Sequence, residues 1–373
     1  MCLYPNRVFY HYAKNSPEER GTIFTSRFTD FMYRYSPMDA WRPGTYNSAQ
    51  GSISALKASG ADVLTDHDDV PCGQCIECRL AYARSWSCRI MNEVEMYPEN
   101  TCWFVTCTYN DDSLPPAKLI ERVNQSTGEY QLAPSPFHSL SLDDHQRFMK
   151  RLRKEFGKDT GLKIRFFMSG EYGEKSVRPH FHYILFGVKL DDLIFYKITD
   201  SGDKLYTSKR LSDVWNVGRD GKPCEMGFVT IGSVTTNSAG YIARYAIKKR
   251  KMIDASFYED FGLKPEFLCM SRKPGIGKRW FEEHKNEIYK YDSIVLKDYK
   301  GVKSVKPPKY YDTLLASENM DQLDEIKEHR KWLALHSDQL QEHLNPWRDK
   351  EVYAQAKERA YLQRATVVKP RDI

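Results

Sequence analysis

Four short runs of aromatic and β-branched residues constrain the fold of this chain more than any other feature. They are Cys102 to Tyr109, Ile164 to Ser169, Pro179 to Gly187 and Phe228 to Val234, with polar or glycine residues around them. Such runs read as buried strands. Between the first and second lies a basic amphipathic helix from Ser141 to Phe156, with Ser141 as its N-cap. Acidic residues fall in its first turn and cations in its last, as the helix dipole favours. The loop Gly170 to Arg178 joins the second and third runs, which makes them hairpin partners. Thr235-Thr236-Asn237-Ser238 then starts a further helix. The order strand, helix, strand, strand, strand, helix predicts an α+β fold, an antiparallel sheet with helices packed on it.

A chain of 373 residues suffices for one main domain with additions. Residues 1–70 read as an irregular N-terminal extension with one or two short strands. The main domain is expected over 71–297, with a helix over 79–97 stopped at Pro98 and a Pro-rich loop over roughly 113–138. Residues 298–373 are charged, punctuated by Pro and then rich in Glu, Lys and Gln, which predicts an accessory helical region. No apolar run approaches the roughly 20 residues of a membrane helix. The opening Met-Cys-Leu-Tyr-Pro-Asn-Arg lacks the apolar core of a secretory signal. A cytoplasmic protein without membrane association is therefore expected. The net charge of +6 permits a nucleic-acid partner without demanding one.

Two motifs carry chemistry. The first is Arg178-Pro179-His180-Phe181-His182, on the third strand. Residues i and i+2 of a strand share a face, so His180 and His182 present two imidazoles together. Glu171, beside the neighbouring strand, is the candidate third ligand across the hairpin; Glu174 competes from the loop. Imidazole with carboxylate suits Mn²⁺ or Mg²⁺ acting on phosphate. Two histidines hydrogen-bonded in a core are the plainer alternative. The second motif runs from Tyr241 to Lys249. Tyr241 and Tyr245 stand at i and i+4 on one helix face, with Lys248 a turn further on. Packing alone also accounts for two such tyrosines. A phenol with a pKa of about 10 attacks only a polarised phosphate or with help from a cation. Lys248 and the basic run after it supply that cation. Jointly, the motifs point to metal-assisted attack by tyrosine on a phosphodiester.

The order Phe104-Val105-Thr106-Cys107-Thr108-Tyr109, then His180-Phe181-His182, then Tyr241-Ile242-Ala243-Arg244-Tyr245-Ala246-Ile247-Lys248 resembles the HUH (His–hydrophobic–His) endonucleases that initiate rolling-circle replication. Within them the chain is similar to the replication initiators of gokushovirus-type microviruses. Met270 to Gly277, the opening Met-Cys-Leu-Tyr-Pro and Pro71-Cys72 to Arg79 share in the likeness, which spans roughly residues 1–290. Cys107 departs from it, standing where an aliphatic residue is usual. The resemblance implies an HUH fold with a central five-stranded antiparallel sheet flanked by helices. It implies a metal on His180, His182 and Glu171, and alternating attack by Tyr241 and Tyr245. The products are a 5′-phosphotyrosine link and a 3′-OH primer, with strands rejoined at termination. The implied partner is single-stranded phage origin DNA, in the cytoplasm of the bacterial host. The sequence carries no helicase signature, so unwinding falls to a host helicase and host replication proteins.

Cys72-x-x-Cys75-x-x-Cys78 has metal-ligand spacing and predicts a structural Zn²⁺, with Cys88, Cys102 or Cys107 available to complete a tetrahedral set. An iron–sulfur cluster and unliganded thiols are its alternatives. Arg178, Arg244, Lys249, Arg272, Lys273 and Lys278 are candidate phosphate contacts. A non-catalytic nucleic-acid-binding protein and an HUH transposase or relaxase are the rival functions.

Overall fold

The computed structural model describes residues 6–13, 16–25, 29–44, 53–73, 75–124, 128–173, 176–200, 202–248, 255–298, 301–344 and 358–360. The chain divides into two compact units, Met1–Ala81 with Trp347–Lys369 and Tyr82–Pro346 with Pro370–Ile373.

The first unit holds β1 (Asn6–Ala13), β2 (Ser16–Thr25), β3 (Phe31–Arg34), β4 (Arg42–Gly44), α1 (Ile53–Ala58), β5 (Asp62–Leu64) and β6 (His67–Val70). They form two antiparallel sheets, β2-β1-β6 and β4-β3-β5. Phe31, Tyr33, Leu56 and Ala61 make a small core under the second sheet. The expected one or two strands are thus six. Most span only three or four residues, too few to display an alternating pattern. α2 (Ile76–Glu95) begins in this unit and ends in the second.

The second unit continues with β7 (Cys102–Thr108), β8 (Leu119–Val123), β9 (Tyr130–Pro134), α3 (Leu142–Phe156), β10 (Arg165–Tyr172) and β11 (Pro179–Phe186). Next come β12 (Leu193–Ile198), β13 (Lys204–Ser208), α4 (Lys209–Trp215), β14 (Val229–Ser233), α5 (Thr236–Lys248), α6 (Ala255–Asp260) and β15 (Phe267–Met270). α7 (Lys278–Tyr291), β16 (Ile294–Asp298), β17 (Gly301–Val305), α8 (Lys309–Glu318) and α9 (Met320–Leu344) complete it. The main sheet has the order β12-β13-β14-β7-β11-β10-β15, with every pairing antiparallel. It has seven strands rather than the expected five, because the β12–β13 hairpin extends its β14 edge. The expected Pro-rich loop also contains a hairpin, β8–β9.

Strand alternation sorts the sheet's two faces. On one, Val105, Cys107, Met168, Phe181, Tyr183 and Leu185 pack on Phe148, Leu152 and Phe156 of α3. On the other, Phe104, Phe167, Ile184 and Phe186 pack on Trp86 and Ile90 of α2 and on Ala239, Ile242 and Ala243 of α5. A third core joins Phe281 of α7, Tyr311 and Leu315 of α8 and Leu323 of α9. Tyr311 is fully buried and receives a 2.9 Å hydrogen bond from Asn92 of α2, so the start of the tail is built into this unit. Among the described residues, no helix is long and apolar enough to cross a membrane.

Candidate active site

The candidate site lies on the α2–α5 face of the sheet, where three strands turn polar side chains toward one another. Register places them. In the β10–β11 hairpin Glu171 pairs with His180 and Ser169 with His182, and β7 sets Thr106 against His182 and Thr108 against His180. Glu171 therefore belongs to the strand itself, one register position deeper than a loop residue. The hairpin brings its Oε2 to 3.9 Å from His180 Nε2 and 3.8 Å from His182 Nε2. One donor atom from each of the three lies within 4.8 Å of the others. Glu174 lies outside the described residues.

Both imidazoles are oriented from behind. His182 Nδ1 shares a 2.9 Å hydrogen bond with the Thr106 hydroxyl, and His180 Nδ1 meets the Arg178 carbonyl oxygen at 3.2 Å. Ser169 donates to Glu171 Oε1 at 2.5 Å, leaving Oε2 as the oxygen nearest the histidines. Phe104 stacks on the His182 ring with centroids 5.5 Å apart. Such partners fix the tautomer and aim of metal-binding histidines.

The donor set fits a divalent ion. Donors around one ion at about 2.1 Å stand no more than about 4.2 Å apart, and both histidine–glutamate separations meet that limit. Two neutral imidazoles and one carboxylate suit Mn²⁺ better than a thiolate-selecting ion. Three protein ligands leave positions open for substrate.

α5 carries the first tyrosine to the same place. Thr235 accepts from the Ser238 N–H at 3.1 Å and so caps the helix, while Ser87 of α2 donates to the Thr236 carbonyl at 3.1 Å. The Tyr241 ring then meets His182 edge to face at 5.4 Å and Phe104 at 6.2 Å. Arg244, Tyr245 and Lys248 lie on the same helix, but their side chains, and the whole of Lys249, fall outside the described residues.

The candidate phosphate contacts divide. Arg178 is held by the end of β7, through an ion pair with Asp111 and a 3.0 Å bond to the Tyr109 carbonyl. Arg272 and Lys273 are exposed on the turn before α7, and Lys278 pairs with Glu282 at 3.3 Å. That turn is anchored below by Glu93, which the sequence did not single out. Glu93 is fully buried, pairs with Arg165 at 2.7 Å and accepts from the Gly277 N–H at 2.7 Å. Arg89 donates to the Ile276 carbonyl at 3.0 Å, with its guanidinium 3.9 Å from the Trp86 ring and 3.8 Å from that of Tyr310.

The cysteines separate as well. Cys72, Cys75 and Cys78 bring their sulfurs together, and among the described residues no fourth ligand joins them. Burial pushes the Cys88 thiol up to about 12 and the Cys102 thiol to about 11, and raises that of Cys107 further. All three stay protonated in the core of the second unit, so the expectation that one completes the set is corrected.

Fold and site together define an α+β protein with a histidine–carboxylate centre, open to a metal, beside a helix-borne tyrosine. A family model for the replication-associated protein ORF2 and its kin matches residues 102–250, the segment that contains the whole centre. The chain is 37% identical over 270 residues to the replication-associated protein ORF2 of Spiroplasma virus 4, covering 72% of this chain and 75% of that protein. It is 30% identical over 230 residues to the replication-associated protein VP4 of Bdellovibrio phage phiMH2K, covering 61% and 62%. With the replication-associated protein ORF4 of Chlamydia phage 1 it shares 28% identity over 186 residues, 48% of this chain and 38% of that one. The chain belongs to the family of microvirus replication-associated proteins, as a replication initiator. No solved structure matches it.

Proposed function

We propose that this initiator nicks single-stranded DNA at the phage origin and joins itself to the 5′ end. Its second unit is read as an HUH endonuclease. The observation that carries the reading is Tyr241 against His182, inside a cluster whose three donors converge. His180, His182 and Glu171 would hold Mn²⁺ or Mg²⁺, which when bound polarises the scissile phosphate. Thr106 and the Arg178 carbonyl keep the two Nε2 atoms aimed at that phosphate's place.

The tyrosine oxygen attacks phosphorus, the bond from phosphorus to the 3′ oxygen breaks, and the phenol proton leaves to solvent. The departing 3′ oxygen takes up a proton and becomes the primer terminus. Tyr241 and Tyr245 alternate, so that the regenerated origin is cut by the second while the freed 3′-OH resolves the first link. Lys248 and Lys249 supply positive charge to the phosphate, and Arg244, Arg272, Lys273 and Lys278 contact the backbone. Arg178 is a positioning residue in this scheme, because its guanidinium is already engaged by Asp111. Unwinding falls to a host helicase, and the protein works in the bacterial cytoplasm.

Incubation with an origin oligonucleotide and Mn²⁺ tests the reading. A covalent adduct whose mass spectrum names Tyr241 or Tyr245 is the expected result. Binding without any adduct would leave a non-catalytic DNA-binding protein instead. An adduct formed equally well on transposon-end or plasmid-transfer sequences would favour the transposase or relaxase reading.

A further inference from the structure

We propose that Cys72, Cys75 and Cys78 hold one zinc ion at the start of α2. Their sulfurs lie within 4.8 Å of one another, with Cys78 the third residue of the helix. Zinc–sulfur bonds of about 2.3 Å in a tetrahedron separate the sulfurs by about 3.8 Å. A small inward movement therefore seats a single ion. A four-iron cluster gives each thiolate its own iron and needs the sulfurs spread wider. Convergence on one point favours the single ion.

Two further features favour the thiolate form. The Cys75 backbone N–H donates to Cys72 Sγ at 3.2 Å, and the helix N-terminus adds positive potential over Cys75 and Cys78. Arg79, one residue beyond Cys78, lies close enough to Cys75 for the two charges to interact. Loading the site releases the three thiol protons to solvent. The fourth position goes to water or to a donor outside the described residues.

Metal analysis of the full chain, purified with zinc present, tests this. About one zinc per chain is expected, retained in a His180→Ala/His182→Ala variant, lost in Cys75→Ser and retained in Cys224→Ser. Cobalt(II) in place of zinc should give an intense sulfur-to-metal charge-transfer absorption in the unmodified chain, so the result does not depend on Cys75→Ser folding. Folded chain holding less than a tenth of an equivalent overturns the proposal. Iron with acid-labile sulfide also overturns it, and so does zinc that disappears with the histidines.

A different observation carries a second inference. Phe228 is 46% exposed and Tyr196 48%, and their rings meet with centroids 5.1 Å apart. Val229 and Ile231 point into the α3 core, so Phe228 and Thr230 face the opposite side, that of the histidines. Thr108 links the two places: its N–H donates to the Phe228 carbonyl at 3.0 Å, and it pairs with His180 on its other side. Two strand spacings put Phe228 about 10 Å from His180, roughly three stacked nucleotides at 3.4 Å each. The Lys197 ammonium lies 5.6 Å from the Tyr196 ring and supplies charge for the backbone.

We infer that Phe228 and Tyr196 form a shelf on which unpaired bases of the DNA strand stack beside the scissile phosphate, an inference that rests on the nicking reading. Single-stranded dT oligonucleotides carrying 2-aminopurine, with EDTA present, test binding apart from cleavage. Tyr196→Ala/Phe228→Ala should weaken binding by roughly tenfold or more and abolish 2-aminopurine quenching. Tyr196→Phe/Phe228→Tyr should restore both. Unchanged affinity and quenching in the alanine variant overturn the shelf alone, whereas absence of any adduct from the unmodified chain overturns the nicking reading.

Discussion

Replacing Thr106 by Val isolates the support of the metal centre from the centre itself. Thr106 and His182 are both buried, and their 2.9 Å hydrogen bond fixes which way the imidazole faces. Valine keeps the β-branched shape and suits a strand, so the sheet should be preserved. His182 Nδ1, however, is left without its hydroxyl, and a buried polar atom deprived of its partner costs about 1–3 kcal/mol. At about 1.4 kcal/mol per tenfold, that cost falls on metal binding as a loss of roughly five- to 150-fold. The range agrees with the 10–100-fold typical when a partner behind a metal ligand is removed. The assay is the rate of adduct formation against Mn²⁺ concentration. Half-saturation should rise by roughly 10–100-fold, the plateau should return near its original level, and oligonucleotide binding in EDTA should not change. Thr106→Ser retains the hydroxyl and should behave like the unmodified protein. A valine variant with unchanged half-saturation would refute the orienting role, and a lowered plateau at unchanged half-saturation would transfer that role to the chemical step.

Tyr241→Phe and Tyr245→Phe should each impair complete rounds of replication, and the double variant should form no adduct on a denaturing gel. His182→Ala should abolish nicking while circular dichroism stays near that of the unmodified chain, and chelation by EDTA should do the same reversibly. Glu93→Gln strands the Arg165 charge in the core and should cost about 3–5 kcal/mol in urea unfolding. Glu93→Leu/Arg165→Met should recover much of that loss. Burial, with Arg153 adding to it, lowers the His145 pKa to about 4 from 6.5. The unfolded chain therefore takes up this proton first, and stability worth about 3 kcal/mol is lost as pH falls from 6.5 through 4. His145→Gln should flatten that part of a stability-against-pH curve.

What the sequence displayed and what it hid follow from the range of the forces involved. The histidine face was legible because alternation is local: Phe181, Tyr183 and Leu185 fill one core while Ile184 and Phe186 fill the other, leaving His180 and His182 on the second side. The Ser141 cap was legible for the same reason, and its hydroxyl accepts from the Asp144 N–H at 3.1 Å. β12 was hidden because Leu193 to Ile198 is an apolar run whose residues are largely exposed, contrary to what such a run implies. Its exposure has meaning only beside Phe228, a neighbour that folding supplies. Glu93 and Arg165 stand 72 residues apart, and neither position distinguishes a buried ion pair from two surface charges. Glu171 falls between these cases. Its residue type was readable, but its distance from the histidines depends on the hairpin's register, and a slip of one residue would turn it to the other face. The centre is therefore specified less by its three ligands than by the apolar residues between them, since Phe181, Ile184 and Phe167 pin the register that brings the ligands together.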